Sequence, residues 1–215
     1  MKRGVQLTGR SLLTLNDITD AELRYLIDLS AALKRRRKAG ARGRLLDRKT
    51  IAMVFEKSST RTRCAAAVAA YQEGGQAEYL SAADIHLGRK ESAADTARVL
   101  GRMFDGILFR GYRQETAERL ARHAGVPVWN GLTDEHHPTQ AIADLLTAEE
   151  HFGRLKGLKL VYVGDGRNNV AHSLMIGCAK TGVDFVNCTP RELFRRRGPS
   201  PTPKRPPGAT EAASR

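Results

Sequence analysis

Cysteines and aromatics are scarce in this sequence and long apolar runs are missing, and each shortage removes a class of protein. Cys64, Cys178 and Cys188 make an odd number with no CxxC spacing. Neither a disulfide framework nor a cysteine zinc site is therefore expected, and all three are expected as small buried fillers. Aromatic residues are 6% of the chain. None interrupts the basic run Lys34-Arg35-Arg36-Arg37-Lys38, so this run has no platform for stacking bases. No apolar stretch approaches the ~20 residues that a membrane span needs. The opening MKRGVQLTGRSLLTLND also lacks the apolar region of a signal peptide. The expectation is a cytoplasmic protein with no membrane partner.

What is present is a globular balance, 41% hydrophobic and 27% charged over 215 residues, enough for one large domain or two small ones. The net charge of +13 points to anionic ligands, to a nucleic acid, or to nothing more than a basic composition. It is unevenly spread. The segment from Arg191 to Arg215 accounts for +5 of it and holds five of the eight prolines. With Leu193 and Phe194 as its only large apolar residues, that segment buries too little to offset ordering, and residues 195–215 are expected to be a disordered basic tail. A nucleic-acid role for the tail is a minor alternative, since it carries no recognition motif.

Ahead of the tail, strands and helices alternate. Thr19 and Glu22 form a capping-box pattern before a helix that the Lys/Arg run closes and Gly40 ends. Strands are expected over 51–55, 76–80, 106–110, 126–129, 158–163 and 183–188. Helices are expected over 60–71, 92–103, 114–123, 138–151 and 170–180, with a polar loop over 81–90. This alternation means α/β architecture, a parallel sheet flanked by helices. Residues 1–150 read as one domain. Residues 151–194 read as the first βαβ unit of a second domain, incomplete because a parallel sheet needs more strands and cover on both faces.

Chemistry collects at the carboxyl ends of these strands, where open α/β sheets place their ligands. Ser58-Ser59-Thr60-Arg61-Thr62-Arg63 lies between a buried strand and an Ala-rich helix. A helix start favours an anion, the hydroxyls add donors, and Arg61 adds a fork that suits phosphate oxygens. The spacing is not that of a Walker loop. His137 and Gln140, three apart at a helix start, share a face and can hold a carbonyl oxygen and an amino group. Arg110 ends the strand GILFR. Asp165-Gly166-Arg167-Asn168-Asn169 ends the next unit's first strand, with an ordinary Gly/Asn turn as the plain alternative.

In this order and spacing, FEKSSTRTRC, LGRKES, DTARVLGRM, FRGY, VPVWNGLTDEHHPTQAIADLLT and VGDGRNN resemble the ornithine carbamoyltransferases, from about Gly9 to Phe194. The resemblance implies transfer of a carbamoyl group from carbamoyl phosphate to L-ornithine, giving L-citrulline and phosphate. It implies no cofactor and no metal, a homotrimer, and a place in arginine metabolism, in synthesis or breakdown. It assigns Ser59, Thr60, Arg61, Thr62, His86, Arg110, His137 and Gln140 to carbamoyl phosphate. Arg61, Arg110 and His137 would be catalytic, and Asn169 would bind ornithine. Four departures qualify this. The family's Ser-Met-Gly and His-Cys-Leu-Pro segments do not occur, as though a frame change or gene decay had replaced them. Ala66-Ala67 stand where Phe-Glu is usual, a loss of buried volume that costs ~3–5 kcal/mol where the site cannot collapse. His86 stands where glutamine is usual, and the basic tail is foreign. A poorly active or inactive enzyme is expected. The alternatives are a non-catalytic, anion-binding or trimer-mixing relative, and a carbamoyltransferase for a different amine.

Overall fold

The computed structural model describes residues 5–81, 83–85 and 91–194. His86, the second half of the 81–90 loop and the 195–215 tail lie outside these. The chain opens with a 3-10 turn, Leu15–Asp17, and the helix α1, Asp20–Lys38. Then β1 (Thr50–Phe55), α2 (Thr60–Gln72), β2 (Gln76–Ser81), α3 (Ala93–Met103), β3 (Gly106–Arg110), α4 (Gln114–His123), β4 (Val128–Leu132) and α5 (Pro138–Phe152) follow. The second unit is β5 (Lys159–Val163), α6 (Asn169–Thr181) and β6 (Asp184–Cys188).

The first four strands form a parallel sheet in the order β2-β1-β3-β4. Its centre, TIAMVF, is buried from Ile51 to Phe55, as a strand covered on both faces must be. Ala52, Val54, Ile107, Phe109 and Val128 join Ala97, Leu100, Ala117 and Leu120 of α3 and α4 in one core. Strand β4 begins two residues later than the sequence suggests and runs to Leu132. Gly125 takes a left-handed turn (φ 72°), and Pro127 offers no donor, so pairing starts at Val128. A register shift between Phe109 and Arg110 then carries pairing onward to Leu132.

The helix α1 does not lie on that sheet. The Thr19 hydroxyl accepts from the Glu22 amide at 3.2 Å and the Glu22 carboxylate from the Thr19 amide at 2.7 Å, the reciprocal cap the sequence implies. Leu23 and Ile27 then pack with Ala141 and Leu145 of α5 and with Leu174 and Cys178 of α6 in a second core. The basic end of α1 is more than a solvated face. Lys34 pairs with Glu150 at 2.5 Å, and Arg36 pairs with Glu73.

Strands β5 and β6 form a separate two-stranded parallel sheet, alternately exposed and covered along its length. Leu160, Tyr162 and Phe185 face the second core, while Val161, Val163 and Val186 are exposed. Two expectations fail here. Of the cysteines, only Cys178 is buried; Cys64 and Cys188 are exposed. Cys64 lies on α2, which buries only Ala70, and Cys188 ends a strand of the half-covered sheet. Ala66 and Ala67 are partly exposed on α2 and do not stand in a core. Among the described residues, no helix is long and apolar enough to cross a membrane.

Candidate functional site

The carboxyl ends of β1, β3 and β4 converge, and the loops there are cross-braced. The Glu56 carboxylate accepts from the Tyr112 amide at 3.1 Å, and the Tyr112 carbonyl accepts from the Asp134 amide at 2.8 Å. Lys57 closes the ring, 2.6 Å from the Asp134 carboxylate and 4.9 Å above the Tyr112 ring. Gly111 allows this closeness: a Cβ there would stand 2.2 Å from a Glu56 oxygen and 2.3 Å from Phe109.

Within this brace sits a positive site. Ser59 caps α2, its hydroxyl accepting from the Thr62 amide at 3.2 Å and donating to the Thr62 hydroxyl at 3.1 Å. Arg110 reaches across from β3, donating from Nη1 to the Thr62 hydroxyl at 3.3 Å and to the Gly131 carbonyl at 3.4 Å. Its Nε is buried and has no partner. Burial and then the nearby charge of Arg61 press the Arg110 pKa down. Among the described residues neither arginine has a carboxylate partner at ion-pair distance. The neighbouring Arg63 lies 3.8 Å over the Tyr79 ring instead. Two uncompensated guanidiniums at a helix N-terminus form a site that an anion would neutralise.

His137 is the residue before Pro138 and the N-cap of α5. Burial, and then the charge of Arg110, push its imidazole down to about 4, so the ring is neutral near pH 7. Its Nδ1 lies 3.3 Å from the Thr139 hydroxyl. If that hydroxyl donates, the ring proton is on Nε2, ready for a carbonyl oxygen.

Two expected site residues are engaged elsewhere. The Gln140 amide donates to the Asp144 carboxylate at 2.8 Å. The Asn169 amide donates to the Thr133 carbonyl at 2.5 Å, so it spans the two units. The segment Asp165–Asn168 is largely the plain turn: Arg167 pairs with Asp165 at 2.9 Å, and the Asn168 side chain caps α6. Thr60 is exposed at the first position of α2. The sequence reading missed the support below the site. Asn130 and Thr133 are fully buried. The Asn130 amide donates to the Leu13 carbonyl at 2.9 Å, and the Thr133 hydroxyl donates to the Gln114 amide oxygen at 2.7 Å. The one signal for them was a polar residue, Asn130, inside an apolar strand. Among the described residues, no cluster of His, Cys, Asp and Glu is suited to a metal.

Fold and site define a parallel α/β protein with a positively charged site at the carboxyl end of its sheet, joined to the beginning of a second α/β unit. Residues 10–150 match the family model for the aspartate/ornithine carbamoyltransferase carbamoyl-P binding domain, and residues 156–200 match the model for the Asp/Orn binding domain. The chain belongs to the aspartate/ornithine carbamoyltransferase family. It is 61% identical over 192 residues to an ornithine carbamoyltransferase of Thermotoga maritima, covering 89% of this chain and 61% of the relative. It is 56% identical over 194 residues to a catabolic ornithine carbamoyltransferase of Bacillus licheniformis, covering 90% and 58%. Among solved structures, the ornithine carbamoyltransferase of Pyrococcus furiosus superposes with a TM-score of 0.87 at 49% identity, covering 90% of this chain and 61% of that one. The chain thus spans about 61% of the length of such relatives.

Proposed function

We propose that this chain carries the carbamoyl-phosphate half of an ornithine carbamoyltransferase site, on a domain of residues 1–150. Residues 151–194 would begin the ornithine side. The observation that carries the reading is the Thr62–Arg110 contact, with Arg61 close by and, among the described residues, no carboxylate at ion-pair distance from either arginine. The phosphate would lie against Ser59, Thr60, Arg61, Thr62 and Arg110, and His137 would donate to the carbamoyl oxygen. The position of Gln140, three residues on from His137, suits the carbamoyl amino group once its side chain exchanges partners with Asp144.

The chemistry follows from charge. The δ-amine of L-ornithine attacks the carbamoyl carbon, the C–O bond to phosphate breaks, and the nitrogen loses a proton. L-citrulline and phosphate result. Negative charge grows on the carbamoyl oxygen and on the departing phosphate, and fixed donors stabilise it in place. A neutral His137 with its proton on Nε2 keeps one N–H to donate to that oxygen. The reaction needs no cofactor. Asn169 would turn from Thr133 to the ornithine. His86 is offered to carbamoyl phosphate by resemblance alone.

The same reading makes the protein a cytoplasmic homotrimer of arginine metabolism with no nucleic-acid or membrane partner. These 215 residues, which lack the Ser-Met-Gly and His-Cys-Leu-Pro segments, would bind carbamoyl phosphate and form little or no citrulline unaided. Titration of the purified chain with carbamoyl phosphate and with inorganic phosphate tests the reading. Binding of both, tighter for carbamoyl phosphate and lost in Arg110→Ala, supports it; indifference to either ligand overturns it.

A further inference from the structure

The N-terminal turn of α6 grips the turn that leads into α5. Three α6 residues on one helical face do so: Asn169 donates to the Thr133 carbonyl at 2.5 Å, His172 Nδ1 lies 3.0 Å from the Glu135 carbonyl, and the Ser173 hydroxyl accepts from the His137 amide at 2.8 Å. Ser173 is 1% exposed. Its hydroxyl proton is committed, since it donates to the Asn169 carbonyl one turn back at 2.9 Å. The lone pairs are therefore left for His137.

That amide needs an outside acceptor. His137 precedes the first turn of α5, with φ −139° and ψ 69°, and its side chain makes no capping bond. Pro138 next to it has no N–H. The angle at which the imidazole leaves the backbone is thus set by a hydroxyl of the other unit.

We propose that Ser173 is a positioning residue for His137, so that recognition of the carbamoyl group depends on α6 being docked against the 133–137 turn. The inference rests on the reading that His137 meets the carbamoyl oxygen. It gives the second unit a part in binding the first substrate, separate from holding the amine. The phosphate subsite of Ser59, Thr62 and Arg110 has no bond to α6 among those described, so the dependence is confined to the carbamoyl end.

The test is a double-mutant cycle on the full chain, read by calorimetry with carbamoyl phosphate and with inorganic phosphate. Ser173→Ala is expected to weaken carbamoyl phosphate by about three- to tenfold, the usual worth of one hydrogen bond, and to leave phosphate unchanged. His137→Ala weakens carbamoyl phosphate as well, and Ser173→Ala added to it costs nothing more. Cys178→Ala, a core truncation on the same helix that makes no bond to the turn, leaves both affinities in place. Ser173→Cys keeps the volume with a weak hydrogen-bonding group and serves if the alanine variant does not fold. Equal loss of both ligands, or additive losses in the double variant, overturns the proposal and leaves Ser173 a structural residue. A wild-type chain that binds phosphate but gains nothing from the carbamoyl group overturns the His137 reading itself, and this inference with it.

Discussion

Arg110 Nη1 stands 3.3 Å from the Thr62 hydroxyl, which joins the end of β3 to the first turn of α2, and among the described residues no carboxylate pairs with the guanidinium. An anion seated there gains a charge-assisted contact worth about 1.5–3 kcal/mol. Arg110→Ala should weaken carbamoyl phosphate and inorganic phosphate alike, by about ten- to a hundredfold. Arg110→Lys should recover only part of this, because one ammonium cannot reproduce the guanidinium fork. Calorimetric titration of the three proteins decides; an unchanged phosphate affinity in Arg110→Ala rules the site out.

The His137 imidazole is lowered from an ordinary 6.5 to about 4 by burial and by Arg110. Between those values the unfolded chain binds a proton that the folded chain does not, so stability rises with pH through this window. Acidification from about 6.5 to about 4 should therefore destabilise the protein, and the loss should level off below. His137→Asn should flatten that part of the profile in denaturant unfolding at successive pH values. A half-protonated His137 ring near pH 6.5 by NMR would contradict the assignment.

Gly111 has no room for a side chain: a methyl group would meet both Glu56 and Phe109 inside contact distance. Gly111→Ala should cost about 1–3 kcal/mol, as overpacking does, and loosen the brace between Glu56 and Tyr112. Thermal unfolding gives the first effect and weaker phosphate binding the second. Phosphate affinity at the wild-type value in a folded variant would separate the brace from the site.

Asn130 is fully buried, and its amide serves the Leu13 carbonyl at 2.9 Å and the Gln114 oxygen at 3.3 Å. Asn130→Ala strands the Leu13 carbonyl, removes one of the two donors to the Gln114 oxygen, and should cost about 1–3 kcal/mol before any cavity is counted. Chemical denaturation measures this directly, and a loss under ~0.5 kcal/mol, the range of ordinary surface changes, would show the network to be dispensable.

The sequence made the alternation of strands and helices legible because apolar runs, Thr19, Pro138 and the glycines after helices each act locally. Strand β4 starts two residues later than its apolar run suggests because Pro127 has no N–H to pair, and it reaches Leu132 through an extra residue, Gly131, opposite the Phe109–Arg110 step, which is not a local property. That Ser59, Thr62 and Arg110 meet was legible for the same reason as the helices: Ser59 to Thr62 are contiguous and Arg110 ends a strand. Asn169 was read as facing a ligand, yet here it holds Thr133. Ser173 went unread, since a serine inside an apolar helix looks like filler until His137 comes within 2.8 Å of it. The exposure of Cys64 and Cys188 likewise follows from which faces the sheets and helices leave uncovered.

The most direct test of the central claim is calorimetric titration of the chain with carbamoyl phosphate and, separately, with a bisubstrate analogue of carbamoyl phosphate and ornithine. A formed carbamoyl-phosphate half predicts that carbamoyl phosphate binds and that the analogue gains little over it. An analogue that binds far more tightly would contradict the account, since these residues would then hold ornithine by groups it does not contain. Failure of carbamoyl phosphate to bind at all would contradict it from the other side.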